Sequence, residues 1–345
     1  MSKKAKSLEH QYSAKNIEAL EPLEHIRRRP AMYFGGRGKR ALHHTIDEVI
    51  DFVLPNVFEN QCDSIEIRLQ PDHYVMIVDN DVSFPRELAE DDYLKTWKYL
   101  RLDAIFTMSG QRPGARSYEY SVDGGLHGLG IISINAVSSF MSIIVKHDKT
   151  IMKRTFRKGQ SHGAYQKYQV DAPQSSGVSI TFQPDFTIFE KHDFDYEWLA
   201  NRCREIALTQ PHLTMTLIDE RTSDVRQDVF HYPDGIQTLV RDLNHNKTPI
   251  HDILYIHHTI PLKTYNGEQG IHVEIALQFT ESDEMDVRGY VNTVYSEQGG
   301  THVDGFQHTL IGYLTAGYDE PQEWNKTAPG LPAVIHLLFP DYHAL

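Results

Sequence analysis

The sequence predicts a mixed α/β (α+β) protein of two domains. Three observations lead there. The chain is 345 residues long, which suits two domains of ordinary size better than one. Segments with helical spacing of apolar residues alternate with short runs of strand character. The pattern then restarts near residues 222–228, which sets domains at 21–224 and 225–345 behind an N-terminal arm, 1–20.

The arm is polar, with Lys3, Lys4 and Lys6 at its start. In residues 41–53, Leu42, Thr45, Ile46, Val49 and Val53 recur at spacings of three and four, one apolar helical face that Pro55 should close. SIEIRLQ (64–70) and YVMIVDN (74–80) read as strands joined by Pro71-Asp72-His73. Residues 81–123 carry no clean period, apart from a possible helix near 92–107; a long irregular stretch inside a compact domain is more often functional than idle. GGLHGLG (124–130) precedes an apolar helix, IISINAVSSFM. Strands should follow at 142–147, 151–157, 165–170 and 177–184, then a helix at 195–208 and a strand at 213–219. Beyond Pro233-Asp234-Gly235, a helix at 236–243, strands at 271–279 and 286–292, a helix after Gly299-Gly300-Thr301 and a last strand in APGLPAVIHLLFP complete the pattern.

Composition narrows the function. Hydrophobic residues make up 40% and charged residues 23% of the chain, enough for a packed core. The net charge is -13, so contact with a polyanion needs a local basic patch. Arg27–Arg29, then Arg37, Lys39 and Arg40, then the Lys and Arg residues between Lys146 and Lys158 form such clusters; each reads first as a solvated face. Cys62 and Cys203 are the only cysteines, which excludes a disulfide scaffold and a site built of CxxC pairs. No apolar run approaches a membrane span and the N-terminus has no signal-like apolar core, so a cytoplasmic protein without membrane contact is expected.

Three features carry possible chemistry. Gly124, Gly125, Gly128 and Gly130, interleaved with Leu126, His127 and Leu129, lie ahead of an apolar helix. They could cradle a phosphate, because glycine permits close backbone approach and a helix start offers free N–H groups; they could equally form a tight helix-starting loop. Asp79 ends a strand and could accept a hydrogen bond from an adenine amino group, or form a turn with Asn80. Glu48 lies mid-helix beside Asp47 and Asp51, placed either as a general base for water or on a solvated face. His43, His44 and His127 have no ligand spacing that supports a metal centre.

In their order, these features resemble the N-terminal ATPase region of the bacterial DNA gyrase B subunit and its topoisomerase IV counterpart. YSAKNIEALEPLEHIRRRPAMYFGG (12–36), ALHHTIDEVID (41–51), IVDN (77–80), GGLHGLG (124–130), LNHNKTPIH (243–251), VEIALQF (273–279) and GGTHVDGF (299–306) carry the likeness. The resemblance implies a Bergerat-type GHKL ATPase sandwich followed by a ribosomal-S5-like transducer domain. It implies ATP as cofactor, with Glu48 as catalytic base, Asp79 on adenine, the loop Gly124–Gly130 on phosphates and Tyr12 reaching a partner's pocket. It further implies a homodimer joined through the arm, a topoisomerase A-type subunit or B-subunit paralogue as partner, and only non-specific, salt-sensitive contact with DNA.

The sequence departs from the family inside the nucleotide site. The family's magnesium-holding Asn, four residues after the catalytic Glu, is here Phe52, which offers no oxygen to a hard cation; Mg2+ is not expected. The Asp-x-Gly-x-Gly run is Asp79-Asn80-Asp81-Val82-Ser83; if these positions need positive φ, Asp81 and Ser83 each cost roughly 1 kcal/mol. The family's Gln-Thr-Lys loop is not present before Leu345. The expectation is a gyrase-B-like ATPase-region protein with impaired hydrolysis, or a non-catalytic paralogue acting as a binding or regulatory module.

Overall fold

The computed structural model describes residues 20–81, 106–107, 130–264, 267–316 and 330–339. Tyr12, the arm to residue 19, Ser83, most of the 92–107 segment and Gly124–Leu129 lie outside the described residues.

Three helices open the chain: α1 (Pro22–Arg28), α2 (Ala31–Phe34) and α3 (Lys39–Phe58). The apolar face of α3 is Leu42, Ile46, Val49, Ile50, Val53 and Leu54, all buried. Pro55 does not end α3, contrary to the sequence expectation; the helix runs through it to Phe58. Proline costs a helix interior roughly 3 kcal/mol. Here Val53 to Phe58 are all buried, and that packing outweighs the lost hydrogen bond.

A sheet of order β3-β4-β2-β1-β5-β6 packs beneath the helices. Its strands are β1 (Ser64–Leu69), β2 (Val75–Asp79), β3 (Ser138–Arg157), β4 (Gln160–Pro184), β5 (Thr214–Asp219) and β6 (Arg226–Phe230). β1 pairs in parallel with β5; the other neighbours are antiparallel. β3 folds back on itself. An extended strand of its length would reach roughly 66 Å, yet the Lys158 amide donates to Ser138 O at 3.0 Å and Asp148 takes φ 49°. The halves of β3 therefore lie side by side, flanked by the two halves of β4, and the four separate strands expected from 142 to 184 are the physical ones.

α4 (Ile131–Val137) is shorter than the apolar run suggested. Ser138 is extended, and from Phe140 the chain pairs with β4, Met141 opposite Phe182. Apolar residues that also gain a cross-strand partner leave the helix. α5 (Tyr196–Thr209) is capped by Asp195, whose side chain accepts from the Glu197 and Trp198 amides. β6 lies beyond the expected junction at 224/225 yet pairs with β5, so the first sheet extends to Phe230.

The second sheet has the order β10-β9-β11-β8-β7, built from β7 (Leu254–Thr264), β8 (Gly267–Leu277), β9 (Asp286–Val291), β10 (Val294–Tyr295) and β11 (Pro332–Leu338). α6 (Ile236–Leu243) covers one face through Ile236, Leu239 and Val240 against Ala276, Tyr290 and Val334. α7 (Thr301–Leu314) covers the other through Phe306 and Leu310 against Leu277, Ala333 and Val287. Gly289 admits α7: a Cβ there would stand 2.2 Å from His302 Nε2. Leu208 of α5 joins the α6 core, and Arg202 of α5 donates to Thr293 O at 2.8 Å, so the two units share α5.

Candidate nucleotide site

α3, the helix that carries Glu48, packs against both α4, which follows Gly130, and β2, which ends at Asp79. Glu48 is half-buried. Gly130 takes φ 61° with open space around its α-carbon, a left-handed conformation that favours glycine. Its carbonyl accepts from both Ser133 N (3.0 Å) and Ser133 Oγ (2.8 Å).

One turn beyond Glu48 on α3, Phe52 is half-buried and tilted against Phe106, with ring centroids 5.9 Å apart. Phe106 is fully buried and continues to Phe156 at 5.8 Å. Asn135 Nδ2 fixes the Phe106 carbonyl at 2.6 Å. Position 52 thus belongs to an aromatic stack. It supplies no oxygen, and the donor chemistry needed for magnesium does not fit there.

Asp79 is 6% exposed and Asp81 fully buried. Asp79 Oδ1 accepts from the Asp81 amide and from the Val178 amide, both at 3.0 Å; Oδ2 accepts nothing from the described residues. Asn56 Nδ2 of α3 donates to Asp81 Oδ2 at 3.1 Å. Burial pushes the Asp79 carboxyl up to about 7, with the Asp81 charge adding to the shift and the two amides opposing it. The same burial, with Asp79 nearby, raises the Cys62 thiol to about 12, leaving it an inert core residue. Asn80 faces away: its Oδ1 accepts from the Asp63 and Ser64 amides and its Nδ2 donates to Asp63.

The glycine penalty expected at position 81 is not incurred. Asp81 is absent from the residues with positive φ, so the backbone turns there without a left-handed residue. The glycine this region does require is Gly177, at φ 153°, where a Cβ would stand 2.2 Å from Asp79 O. Gly177 and Val178 were missed by sequence reasoning, as was the bond from Asn56 to Asp81. They lie far from Asp79 along the chain, and nothing local to them signals the contact.

The DNA gyrase B family model matches residues 235–329. The gyrase B subunit of Archaeoglobus fulgidus is 33% identical over 339 residues, 96% of this chain and 51% of that protein. The Thermotoga maritima subunit is 33% identical over 299 residues, covering 87% and 46%. The chain thus spans about half the length of the curated relatives it matches. Among solved structures, the ATPase domain of Thermus thermophilus gyrase B, in complex with an aminocoumarin, superposes with TM-score 0.75 at 22% identity, covering 93% of this chain and 82% of that one. The ATP-binding domain of Francisella tularensis topoisomerase IV gives 0.66 at 18% identity, covering 93% and 83%. These likenesses establish the fold.

Proposed function

Because the chain belongs to the DNA gyrase B family, we propose that it acts as a gyrase-B-like ATPase-region protein, a nucleotide-binding dimerisation gate of a type II topoisomerase in which hydrolysis is impaired. Asp79 supports the binding half of this reading. It is a buried carboxylate with one oxygen fixed by two amides and the other available to an amino group. Phe52 supports the impairment, because an aromatic stack occupies the metal-ligand position.

In this reading Asp79 receives the adenine amino group, and the loop from Gly124 to Gly130, including Leu126, His127 and Leu129, closes over the phosphates. Glu48 orients and deprotonates water. Bound ATP would supply the phosphoanhydride to be cleaved. The relatives are gyrase B subunits; by that kinship a homodimer joined through the arm, with Tyr12 reaching across, and an A-type subunit as partner are part of the proposal. So is a cytoplasmic location. Among the described residues no helix is long and apolar enough to cross a membrane.

Phe52 also favours a second reading, a non-catalytic paralogue that modulates a topoisomerase. Turnover separates the two. ATP hydrolysis should lie near background but remain measurable and fall with Glu48→Ala in the first reading. Activity indifferent to Glu48→Ala supports the second.

A further inference from the structure

β7 forms one edge of the second sheet, away from the main helix contacts. α6 packs chiefly on β11 and β8, and α7 on β9 and β11. Residues 254–260 of β7, LYIHHTI, hold no Lys, Arg, Asp or Glu. Leu254, Tyr255, Ile256 and Ile260 are each about half exposed. Side chains alternate along a strand, so Leu254, Ile256 and Ile260 form an apolar stripe on one side. Exposed edges normally carry guards, because their free N–H and C=O groups template pairing. Two other edges follow that rule. β10 is two residues long, and β6 carries Arg226 and Asp228. In β7, Pro261 and Lys263 guard only the far end.

The register with β8 determines which backbone groups are free. The ladder closes on Thr264 and Gly267, with two residues between them. A turn this tight is closed by a hydrogen-bonded pair, and bonded pairs alternate along an antiparallel ladder. Even-numbered residues of β7 therefore bond β8, while Tyr255, His257 and Thr259 turn their N–H and C=O groups outward. Pro261 falls in the outward set, where a missing N–H costs the sheet no bond. Among the described residues no further strand pairs with this edge.

We infer that β7 is a self-docking edge, which pairs antiparallel with β7 of a second copy about a two-fold axis at His257. The symmetry of the strand selects this occupant. Centred on His257, Tyr255 meets Thr259 of the second copy and His257 meets its own counterpart, so every outward N–H from Tyr255 to Thr259 finds a carbonyl. Directly opposite residues share a face, so Leu254 meets Ile260 and the two apolar stripes merge. No fixed charge opposes the approach. Four large side chains, each about half exposed, hide roughly 100 Å² apiece. That is about half of the ~800 Å² per partner in a standard interface, so the pair is reversible and concentration-dependent. It uses neither the nucleotide site nor the N-terminal arm, and stands whether or not ATP binds.

The test is sedimentation velocity of the full chain from about 1 to 200 µM, the range suited to an interface of this size. The unmodified chain should double its mass reversibly across that range. Ile256→Lys, and separately Thr259→Pro, should each raise the midpoint concentration at least tenfold. Val229→Lys, at an equally exposed apolar position on β6, should leave it unchanged. His257→Cys should crosslink to itself under copper–phenanthroline, because the two-fold sets like residues opposite with α-carbons about 5.5 Å apart. Val229→Cys should not, and Cys62 and Cys203 are buried. In the unmodified chain, hydrogen exchange at Tyr255, His257 and Thr259 should slow as concentration rises, while Ile256, already bonded to β8, changes little; this covers the case of a variant that fails to fold. A mass independent of concentration, doubling retained by both edge variants, equal loss in Val229→Lys, or equally efficient crosslinking through Val229→Cys would overturn the assignment. Exchange that stays fast at the three outward amides would overturn it too.

Discussion

Asp79 determines how the site responds to pH. Its carboxyl is raised to about 7 by burial, so between about pH 4 and 7 the folded chain binds a proton that the unfolded chain releases. Stability contributed by this group is therefore present at low pH and lost as pH rises through 7. Asp79→Asn should raise thermal stability at pH 8, by up to ~4 kcal/mol if the whole shift is expressed, and change little at pH 5; equal effects at both pH values would refute it. An amino donor prefers the ionised form, so affinity for an adenine nucleotide should rise from pH 6 to pH 8, read by calorimetry. A flat profile would exclude Asp79 from the contact. At position 52, Phe52→Asn should make nucleotide binding respond to magnesium before turnover recovers, with some loss of stability as the ring leaves the Phe106–Phe156 stack.

The elements that form the site were legible to different degrees. The apolar face of α3 and the ends of β1 and β2 show in the sequence because period and turn residues are local signals. The passage of α3 through Pro55 was not legible, since burial of Val53 to Phe58 decides it. β7 was missed because neither face is buried: Leu254, Ile256 and Ile260 are all about half exposed, so no alternation marks it. Gly177 belongs to the same class, its need set by a carbonyl from β2. Gly177→Ala should destabilise by several kcal/mol and shift the Val178 amide off Asp79, because the new Cβ meets backbone on a distant strand. Near-native stability, together with an unchanged Asp79 titration, would show that the strands separate freely.

Across the whole molecule, α5 links the units. Arg202 reaches Asp47 Oδ1 at 3.4 Å, beside Glu48 on α3, and donates to Thr293 O in the turn between β9 and β10. Its side chain is 12% exposed and that of Asp47 19%, so the contact is only weakly screened. Arg202→Leu should cost about 1–3 kcal/mol, since it strands a half-buried carboxylate and an amide carbonyl. It should also raise hydrogen exchange around 292–295 before the first sheet loosens. Uniform loosening of both units would mean that Arg202 stabilises without linking them. The fold class was predictable at this scale from the alternation of elements, whereas the shared helix was not, because its partners come from both ends of the chain.

The most direct test of the central claim is calorimetric titration of the chain with a non-hydrolysable ATP analogue, with and without magnesium, paired with steady-state ATPase measurement. The expected result is weak binding that magnesium barely changes and turnover near background, as an aromatic stack at Phe52 requires. Robust magnesium-dependent turnover by the unmodified chain, abolished by Glu48→Ala, would contradict it.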